Sequence, residues 1–273
     1  MQAFDWTGVD IAVPPRRLPG VRMAGFRQAV PAPVDIAMVA HPAVTVLVDL
    51  SDGLGYEAFG RRGRGSVVVG LCPGELRAAG RIGECLQIRL EPAVAAAVLG
   101  ETLSGAVSLE DVVGRDAARW EDRLRAAVSW DDRFALAAEL LRQRLGSRRV
   151  DPEVAQSWRR TLAARGLARV EGLADEVGWS RKRLWARFRT QLGITPKRAA
   201  RLVRFDHAAH LLAAGRAPAE VAVASGFADQ SHLHHEVRAF SGLTPAAVAV
   251  APWLAIDDVA WPEPNRGGGR QGT

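Results

Sequence analysis

Two stretches near the end of the chain repeat one pattern. The first reads LADEVGWS at residues 173–180 and then GITP at 193–196. The second reads VAVASGFA at residues 221–228 and then GLTP at 242–245. Each copy predicts a short apolar helix, a glycine turn, a longer helix that begins after a small polar residue, and a new helix that starts at Thr-Pro. The repeat therefore indicates one α-helical unit that occurs twice.

This order of elements is that of a helix-turn-helix, whose second helix fits the major groove of DNA. One copy alone is weak evidence, because helical hairpins are common. Two copies separated by a basic helix are strong evidence. The repeat therefore predicts a chain that binds specific sequences in double-stranded DNA.

Basic residues are concentrated in and after the first unit. The net charge of the chain is only +6, but residues 177–204 contain nine Lys and Arg residues and no Asp or Glu. A solvated helix face usually carries both signs of charge, so a run of one sign predicts contact with a polyanion. Most of these residues are Arg, which suits bidentate contacts with phosphate and guanine.

Size and composition restrict the class of protein. A length of 273 residues predicts roughly two domains. No apolar run is long enough to span a bilayer, and the first residues do not form a secretion signal, so we expect a cytoplasmic protein without a membrane partner. Cys72 and Cys85 fit a reducing compartment as buried apolar side chains, with a disulfide or a metal pair as the alternative.

The first 110 residues resemble short strands separated by turns. Residues 44–48 and 66–69 are β-branched runs, and residues 85–90 alternate apolar and polar side chains. Strands this short and frequent suggest a small barrel or sandwich. We therefore predict an α+β fold, with a β-rich, barrel-like N-terminal domain and an all-α C-terminal domain.

Two helices are predicted after Leu109, each with one apolar stripe. Asp131 or Asp132 would cap the second helix. The stripes pack either onto the β-rich domain or against a second copy of the chain. Their residues are Trp120, Leu124 and Val128 in the first helix, and Ala137, Leu141 and Leu145 in the second.

Changes in composition divide the chain into three parts. The boundary between the first two is the basic segment GSRR. The end of the chain is rich in Gly and Pro and has no apolar pattern, which predicts disorder. The predicted parts are a β-rich sensor or dimerisation domain with its helices over 1–146, a tandem helix-turn-helix domain over 151–250 and a disordered tail over 251–273.

Thr-Pro and Asp-Pro pairs mark where helices of the second domain begin. Asp151 and Pro152 form an N-cap followed by a proline at the first helical position. A long helix from Pro196 to Ala214 would be a rod of about 28 Å. Successive major-groove entries on one face of DNA lie about 34 Å apart. This helix can therefore hold two DNA-reading units one helical turn apart.

The second helix of the first unit has an inward and an outward face. Leu184 and Phe188 point inward, and Ser180 is the N-cap. Outward side chains in the first two turns of such a helix reach base edges, while flanking basic ones reach phosphates. Trp185 either packs on sugar and thymine methyl groups or covers the domain core. The predicted DNA contacts here and on the next helix are Ser180, Arg181, Lys182, Trp185, Ala186, Arg189, Arg198 and Arg201.

The second unit has Leu233, Val237 and Phe240 as its inward set. Gln can bind adenine through two hydrogen bonds, and Ser or His can contact bases or phosphate. Five of the six histidines lie in this half of the chain. No carboxylate or cysteine completes a metal site at ligand spacing, so we expect neither a metal nor another cofactor. The predicted DNA contacts are Gln230, Ser231, His234 and His235.

The tandem pattern resembles the DNA-binding domain of AraC-type transcription regulators. The resemblance rests on GFADQSHL at residues 226–233 and the GLTP that follows, and it covers about 151–250. It implies a seven-helix domain whose two helix-turn-helix units bind adjacent major grooves upstream of promoters. The implied base-reading positions are Lys182, Trp185 and Ala186 in the first unit, and Gln230, Ser231, His234 and His235 in the second.

Two residues depart from the family pattern. Val237 stands where an aromatic residue is usual, and Ala186 stands where a polar residue commonly reads a base. The second departure puts the base contact of Ala186 in doubt, but not the domain itself.

The N-terminal half is loosely similar to the β-barrel sensor domains that precede such units. We expect double-stranded promoter DNA and RNA polymerase as partners, with a small-molecule effector and a homodimer as further candidates. Two other functions stay open: a DNA-modifying or repair enzyme that this module targets, and an architectural protein that bends DNA. Such an enzyme needs an activated thiolate or a cysteine cluster with zinc. The sequences around Cys72 and Cys85 offer neither, so we expect no enzymatic activity.

Overall fold

The computed structural model combines a β-rich first half with a helical second half, so the predicted α+β class is confirmed. Cys72 lies outside the described residues, so the burial of its side chain stays a prediction. The residues that the structure describes are 6–58, 60–71, 76–100, 105–146 and 149–261.

The strands of the first half form one antiparallel sheet. They are β1 (Val9–Ala12), β2 (Val21–Met38), β3 (Val44–Asp49), β4 (Leu54–Ala58), β5 (Arg61–Arg64), β6 (Val67–Val69), β7 (Leu76–Leu90) and β8 (Ala106–Ser108). All six residues of β3 are buried, as its β-branched run predicts. The long strands β2 and β7 pair with a register shift between Arg27 and Ala32. On its other edge β7 pairs with β3 and with β4, and it is therefore the central strand.

The sheet is open rather than closed into a barrel. Its strand order is β1-β2-β7-β3-β6-β8, and β4 and β5 lie off this path. Closure would need the two edge strands, β1 and β8, to pair, and no such pairing occurs among the described residues. The sequence predicts a barrel-like form, but the structure has an open sheet with two edges.

Four helices follow or interrupt the sheet, namely α1 (Pro92–Leu99), α2 (Leu109–Val113), α3 (Asp116–Ala126) and α4 (Trp130–Arg144). Leu124, Ala137 and Leu141 of the predicted stripes are buried. The Trp130 ring lies so close to Gly25 of β2 that a side chain at this position would clash with it. The stripes thus pack within the chain, onto the β-rich domain.

The ends of α3 and α4 differ from the prediction. Val128 lies beyond α3 and is 89% exposed, so it does not extend the apolar stripe. Ser129, not Asp131 or Asp132, caps α4, because its hydroxyl accepts a hydrogen bond from the backbone N of Asp132 at 3.1 Å. Leu145 follows the last turn of α4 and is exposed.

Residues 151–250 contain seven helices in the order that the resemblance implies. They are α5 (Pro152–Ala163), α6 (Val170–Glu176), α7 (Arg181–Leu192), α8 (Pro196–Ala213), α9 (Pro218–Ala224), α10 (Gln230–Ser241) and α11 (Pro245–Ala249). Thr195 caps α8, since its hydroxyl accepts from the backbone N of Arg198 at 3.2 Å. Asp151 stands at the N-cap of α5 as predicted, but its carboxylate makes no capping bond. It accepts instead from Arg187 at 2.8 Å and so connects α5 to α7.

The segment after α11 is folded, and the predicted disorder is wrong for residues 251–261, which we call the C-terminal strap. It contains α12 (Pro252–Ala255) and α13 (Asp257–Ala260). Trp6 donates from Nε1 to the carbonyl of Pro252 at 2.8 Å, and Arg22 donates to the carbonyl of Trp261 at 3.1 Å. The strap is ordered because its apolar side chains are buried against the first strands of the sheet. The rest of the predicted tail lies outside the described residues.

In the part of the chain that the structure describes, no single helix is long and apolar enough to cross a membrane. Two consecutive segments, Gln230–Ser241 and Pro245–Ala260, meet the criteria of length and composition together, with a bend of 64° between them.

Two glycines with similar backbone angles allow a test of the packing of α5 on α8. Gly166 and Gly178 have φ of +74° and +68°. A Cβ at Gly166 would meet the carbonyl oxygen of Ala200 and would lie 2.9 Å from the backbone N of Arg204, whereas a Cβ at Gly178 would meet nothing within 4 Å. We expect Gly178→Ala to cost about 1 kcal/mol of unfolding free energy through backbone strain alone. Gly166→Ala adds a clash with backbone atoms, for a total of about 2–4 kcal/mol.

Urea unfolding of the two variants and the wild type measures this difference. Equal losses in the two variants would contradict the close approach of Gly166 to α8.

Candidate nucleic-acid interface and ligand cavity

The first helix-turn-helix unit consists of α6, a turn at Gly178 and α7. Gly178 takes a left-handed conformation that glycine adopts without steric strain. Ser180 caps α7 as predicted, because its hydroxyl accepts a hydrogen bond from the backbone N of Arg183 at 3.2 Å. Leu184 and Phe188 are fully buried, so the predicted inward face is confirmed. The opposite face of α7 is left to solvent.

The outward face of α7 presents the predicted contacts of the first unit. Lys182, Ala186 and Arg189 are exposed. Trp185 keeps 44% of its surface exposed, and the Arg189 guanidinium lies 5.2 Å from its ring centroid. Trp185 therefore does not cover the domain core. Its indole is available at the surface, beside the Arg189 guanidinium.

The second unit repeats this arrangement with α9, a turn at Gly226 and α10. Its N-cap is Asp229, whose carboxylate accepts from the backbone N of His232 at 2.7 Å. Val237, one of the three predicted inward residues, is fully buried. Phe240 stacks on Phe205 of α8 with ring centroids 5.3 Å apart. The second unit is thus anchored to the long helix by an aromatic pair.

The outward face of α10 carries polar groups instead of Lys or Arg in its first two turns. Gln230, Ser231 and His235 are exposed, and His234 is half-buried. The two histidine rings meet edge to face, with centroids 6.3 Å apart. This face therefore offers hydrogen bonds, whereas the face of α7 offers positive charge as well.

Three of the nine basic residues between 177 and 204 bind carboxylates from distant parts of the sequence. Arg181 donates to Glu171 at 2.8 Å, and both side chains are largely exposed. The other two are Arg187, which binds Asp151, and Arg201, which binds Glu236. Residues 177–204 contain no acid, but in the folded chain carboxylates from outside this run neutralise part of its positive charge.

Arg201 differs from the other predicted DNA contacts. Its guanidinium donates to both carboxylate oxygens of Glu236, at 2.6 and 2.9 Å, and it lies over the Phe240 ring. Glu236 is buried, so the pair connects α8 to α10. The pair uses Nε and Nη2 of Arg201 and matches its charge, so Arg201 offers less positive charge to a phosphate than the exposed cations of the run. The same pair holds the second unit on α8.

Other basic residues of the run remain accessible to a polyanion. They make no ion pair among the described residues and are exposed. Arg183 also lies 4.4 Å from the ring centroid of Trp179. The exposed cations without an ion pair are Lys182, Arg183, Arg189, Lys197 and Arg198.

A second candidate site is a cavity of about 150 Å³ between the sheet and the C-terminal strap. Its walls are mostly apolar, and they come from segments that are distant in the sequence. No motif indicates such a cavity, and the only signal in the sequence is the aromatic content of the strap. The apolar lining residues are Trp6, Val9, Phe26, Val34, Ile36, Met38, Val39, Leu47, Leu54, Ala78, Trp253, Ile256 and Trp261.

One edge of this cavity carries His41 and Arg89, which belong to a cluster of charged side chains. Asp257 of the strap accepts from both terminal nitrogens of Arg89 at 3.3 Å. The other carboxylate oxygen of Asp257 lies 2.6 Å from Nε2 of His210 on α8. Asp257 thus connects the strap to the sheet and to the long helix. We call Arg22, His41, Arg89, Asp206, His210 and Asp257 the Asp257 cluster.

Burial and neighbouring charges shift the pKa values in this cluster. Burial, with the charge of Arg89 in addition, lowers the pKa of His41 well below 6.5. Burial opposes charge on His210, but the hydrogen bond to Asp257 and the charge of Asp206 raise its pKa to about 9. Burial would raise the pKa of Asp257, yet His210 and Arg89 lower it to about 2. Burial raises the pKa of Asp206 to about 6, against the effect of His210. At pH 7, His41 is therefore neutral and His210 is protonated.

Cys85 also lines the cavity, and its thiol is not activated. Burial, with the charge of Asp49 in addition, raises the pKa of Cys85 to about 12. A nucleophilic cysteine requires the opposite shift. In the described part of the chain, no group of three His, Cys, Asp or Glu side chains could hold a metal ion.

Comparisons with known proteins identify the C-terminal units. A family model described as "Helix-turn-helix domain" matches residues 173–249. An uncharacterised HTH-type transcriptional regulator from Bacillus subtilis, YbfI, is 39% identical over 61 residues. That match covers 22% of this chain and 22% of the relative, so the chain matches only about a fifth of the relative's length.

Solved structures give more distant similarities. ToxT from Vibrio cholerae is 10% identical, with a TM-score of 0.48, over 86% of this chain and 99% of that chain. The C-terminal domain of AraT, a response regulator from Geobacillus stearothermophilus, is 20% identical with a TM-score of 0.35, over 37% of this chain and 87% of that chain. TM-scores below 0.5 do not establish a common fold.

The raised pKa of His210 predicts that the chain loses stability as the pH rises. A histidine whose pKa is higher in the folded state stabilises the fold below its unfolded value of 6.5, and this contribution disappears as the pH passes about 9. We expect the wild type to lose about 1–2 kcal/mol relative to His210→Gln over this interval, less than the full shift implies because the ring is partly exposed to solvent. Urea unfolding at pH 6, 7.5 and 9 measures the difference.

His207→Gln provides the control on the same helix. Burial lowers the pKa of His207, so its titration falls below this interval. Burial raises the pKa of Asp206 to about 6, so Asp206 is still titrating at the lowest of these pH values, and the difference between pH 7.5 and pH 9 is the one that reports His210. A constant difference between wild type and His210→Gln would show that Asp257 does not bind a protonated His210.

Proposed function

We propose that this chain, whose residues 173–249 form an AraC-type helix-turn-helix domain, is a sequence-specific DNA-binding transcription regulator. In this proposal α7 and α10 enter two successive major grooves on one face of promoter DNA. The N-terminal domain senses a small molecule in the cavity beneath the C-terminal strap.

The observation that carries the proposal is the placement of both units on one helix. With its 18 residues, α8 is a rod of about 27 Å, close to the ~34 Å between successive groove entries. The outward faces of α7 and α10 are exposed. A helical hairpin that only fills a core has no need of an exposed second helix. Here the second helices of both units are exposed, and both units share α8 as their support.

The side chains are assigned to two roles. Lys182 and Gln230 would bind base edges, since Lys suits guanine and Gln suits adenine. Arg198 would bind phosphate from the first turn of α8. Ser180 can donate its hydroxyl proton to a phosphate while it accepts the capping bond. The proposed contacts are Ser180, Arg181, Lys182, Trp185, Ala186, Arg189, Arg198, Gln230, Ser231, His234 and His235.

The remaining parts of the proposal concern partners and location. We propose RNA polymerase as the protein partner at the promoter, and a homodimer would double the length of DNA that is bound. A regulator of this kind works in the bacterial cytoplasm, where promoter DNA is. We propose no enzymatic activity, because none of these roles needs a chemical step.

The first unit should supply most of the affinity and the second unit less. Lys182 adds charge to base contact, whereas Gln230 offers hydrogen bonds alone. We expect Lys182→Ala to lose about 1–3 kcal/mol of binding free energy at its best site. Gln230→Ala should lose less and relax the preference at one or two base pairs. Selection of binding sites from random duplexes, followed by fluorescence anisotropy of the full chain, measures both effects.

The double variant Lys182→Ala/Gln230→Ala is the control, because losses at separated sites add. Loss of the consensus in Gln230→Ala alone would reverse the two roles. Absence of binding to any duplex at low salt would contradict the proposed function.

Salt dependence distinguishes a phosphate contact from a positioning residue. Each phosphate contact contributes about 0.9 to the slope of log K against log salt concentration. We expect Arg198→Gln to reduce the slope by about one unit. Arg201→Gln, the matched variant on the same helix, should leave the slope unchanged and lower the melting temperature, because it leaves Glu236 buried without its partner. A reduced slope in Arg201→Gln would show that Arg201 contacts phosphate.

A further inference from the structure

Two hydrogen-bond donors at the edge of the cavity have no partner. Arg89 is 8% exposed, and its Nε makes no hydrogen bond. Nε2 of His41 lies 3.3 Å from Nη1 of Arg89, and because a guanidinium only donates, the neutral ring must accept there. The ring proton is therefore on Nδ1, which is also buried and unpaired. Unpaired buried donors are costly, and both residues line the cavity, where a bound ligand would supply acceptors.

The charge of the surroundings favours an anionic acceptor. At pH 7 the Asp257 cluster contains three cations, on Arg22, Arg89 and His210, and two carboxylates, on Asp206 and Asp257. One positive charge is therefore without a matching negative charge. Asp257 places a single oxygen on Arg89, at the long distance of 3.3 Å, and Nη1 also donates to His41. The Nε–H and one Nη2–H are left for another carboxylate.

The size and lining of the cavity define the rest of the ligand. A cavity of about 150 Å³ with apolar walls accommodates a body of about one aromatic ring. We propose that this cavity binds a small monocarboxylate with an apolar body of this size, with its carboxylate on Arg89 and its body among the aromatic side chains of the strap. Asp257 is then a built-in competitor for the same guanidinium.

Competition at Arg89 gives the ligand a route to the DNA-binding units. Asp257 belongs to the strap and also binds His210 on α8, the helix that carries both units. A ligand carboxylate that takes Arg89 weakens the attachment of the strap to the sheet and changes the support of α8. This inference builds on the proposed sensor role of the N-terminal domain, but its binding test needs no DNA.

The test uses the full chain with benzoate and benzamide, two probes of similar shape of which only one carries charge. Trp6, Trp253 and Trp261 line the cavity, so tryptophan fluorescence reports binding, and calorimetry measures it. We expect benzamide to bind more weakly than benzoate by a factor of about ten or more. This factor corresponds to the loss of one charge-assisted hydrogen bond. Equal affinities, or no binding of either probe, would overturn the proposal.

Variants assign the head-group site. Arg89→Gln should lower the affinity for benzoate about tenfold and leave the affinity for benzamide unchanged. Asp257→Asn removes the competitor and should bind benzoate more tightly, whereas Asp258→Asn, an exposed neighbour, should bind like the wild type. If Arg89→Gln does not fold, Asp257→Asn decides, because unchanged or weaker benzoate binding there contradicts competition.

Failure of this inference is distinct from failure of the proposed function. A chain that binds DNA but neither probe would leave the regulator proposal intact and overturn the ligand class. A chain that binds benzoate through Arg89 but no DNA would do the reverse.

Discussion

The spacing of the two helix-turn-helix units depends on one constraint, the rigidity of their attachment to α8. The first unit meets this helix through Thr195, which caps it directly after the core of that unit. The second unit is held by the stacked rings of Phe205 and Phe240 and by the pair of Arg201 and Glu236. An aromatic stack and a bidentate ion pair each have a preferred geometry. Together these contacts fix the position of α10 on α8, and therefore its distance from the first unit.

Sequence patterns predicted the helical half of the chain because its signals are local. Thr195 and Pro196 stand side by side, and so do Gly178, Trp179 and Ser180, so caps and turns can be read without knowledge of the fold. The buried positions of α7 and α10 follow from spacing along one helix. Among the candidate DNA contacts, exposure of Lys182 and Trp185 could be anticipated in the same way.

Interactions over long sequence distances could not be predicted. Arg201 looked like a free cation because Glu236 follows it by 35 residues, and Arg187 looked so because Asp151 precedes it by 36. The cavity is built from strands and from a strap at the other end of the described chain, so no window of sequence contains it. The open sheet was missed for a similar reason, since strand patterns do not reveal which edges pair. Order in the strap comes from burial against the sheet, not from its own propensity.

The contact between Trp6 and the carbonyl of Pro252 spans 246 residues, and it has a consequence for synthesis. Chains emerge from the ribosome at roughly 5–20 residues per second, so the sheet is complete on the order of ten seconds before the strap arrives. During this interval the apolar inner wall of the cavity, around Phe26 and Leu47, faces water without its cover. The nascent N-terminal domain therefore exposes, for these seconds, an apolar surface that is covered only when the last part of the described chain has been made.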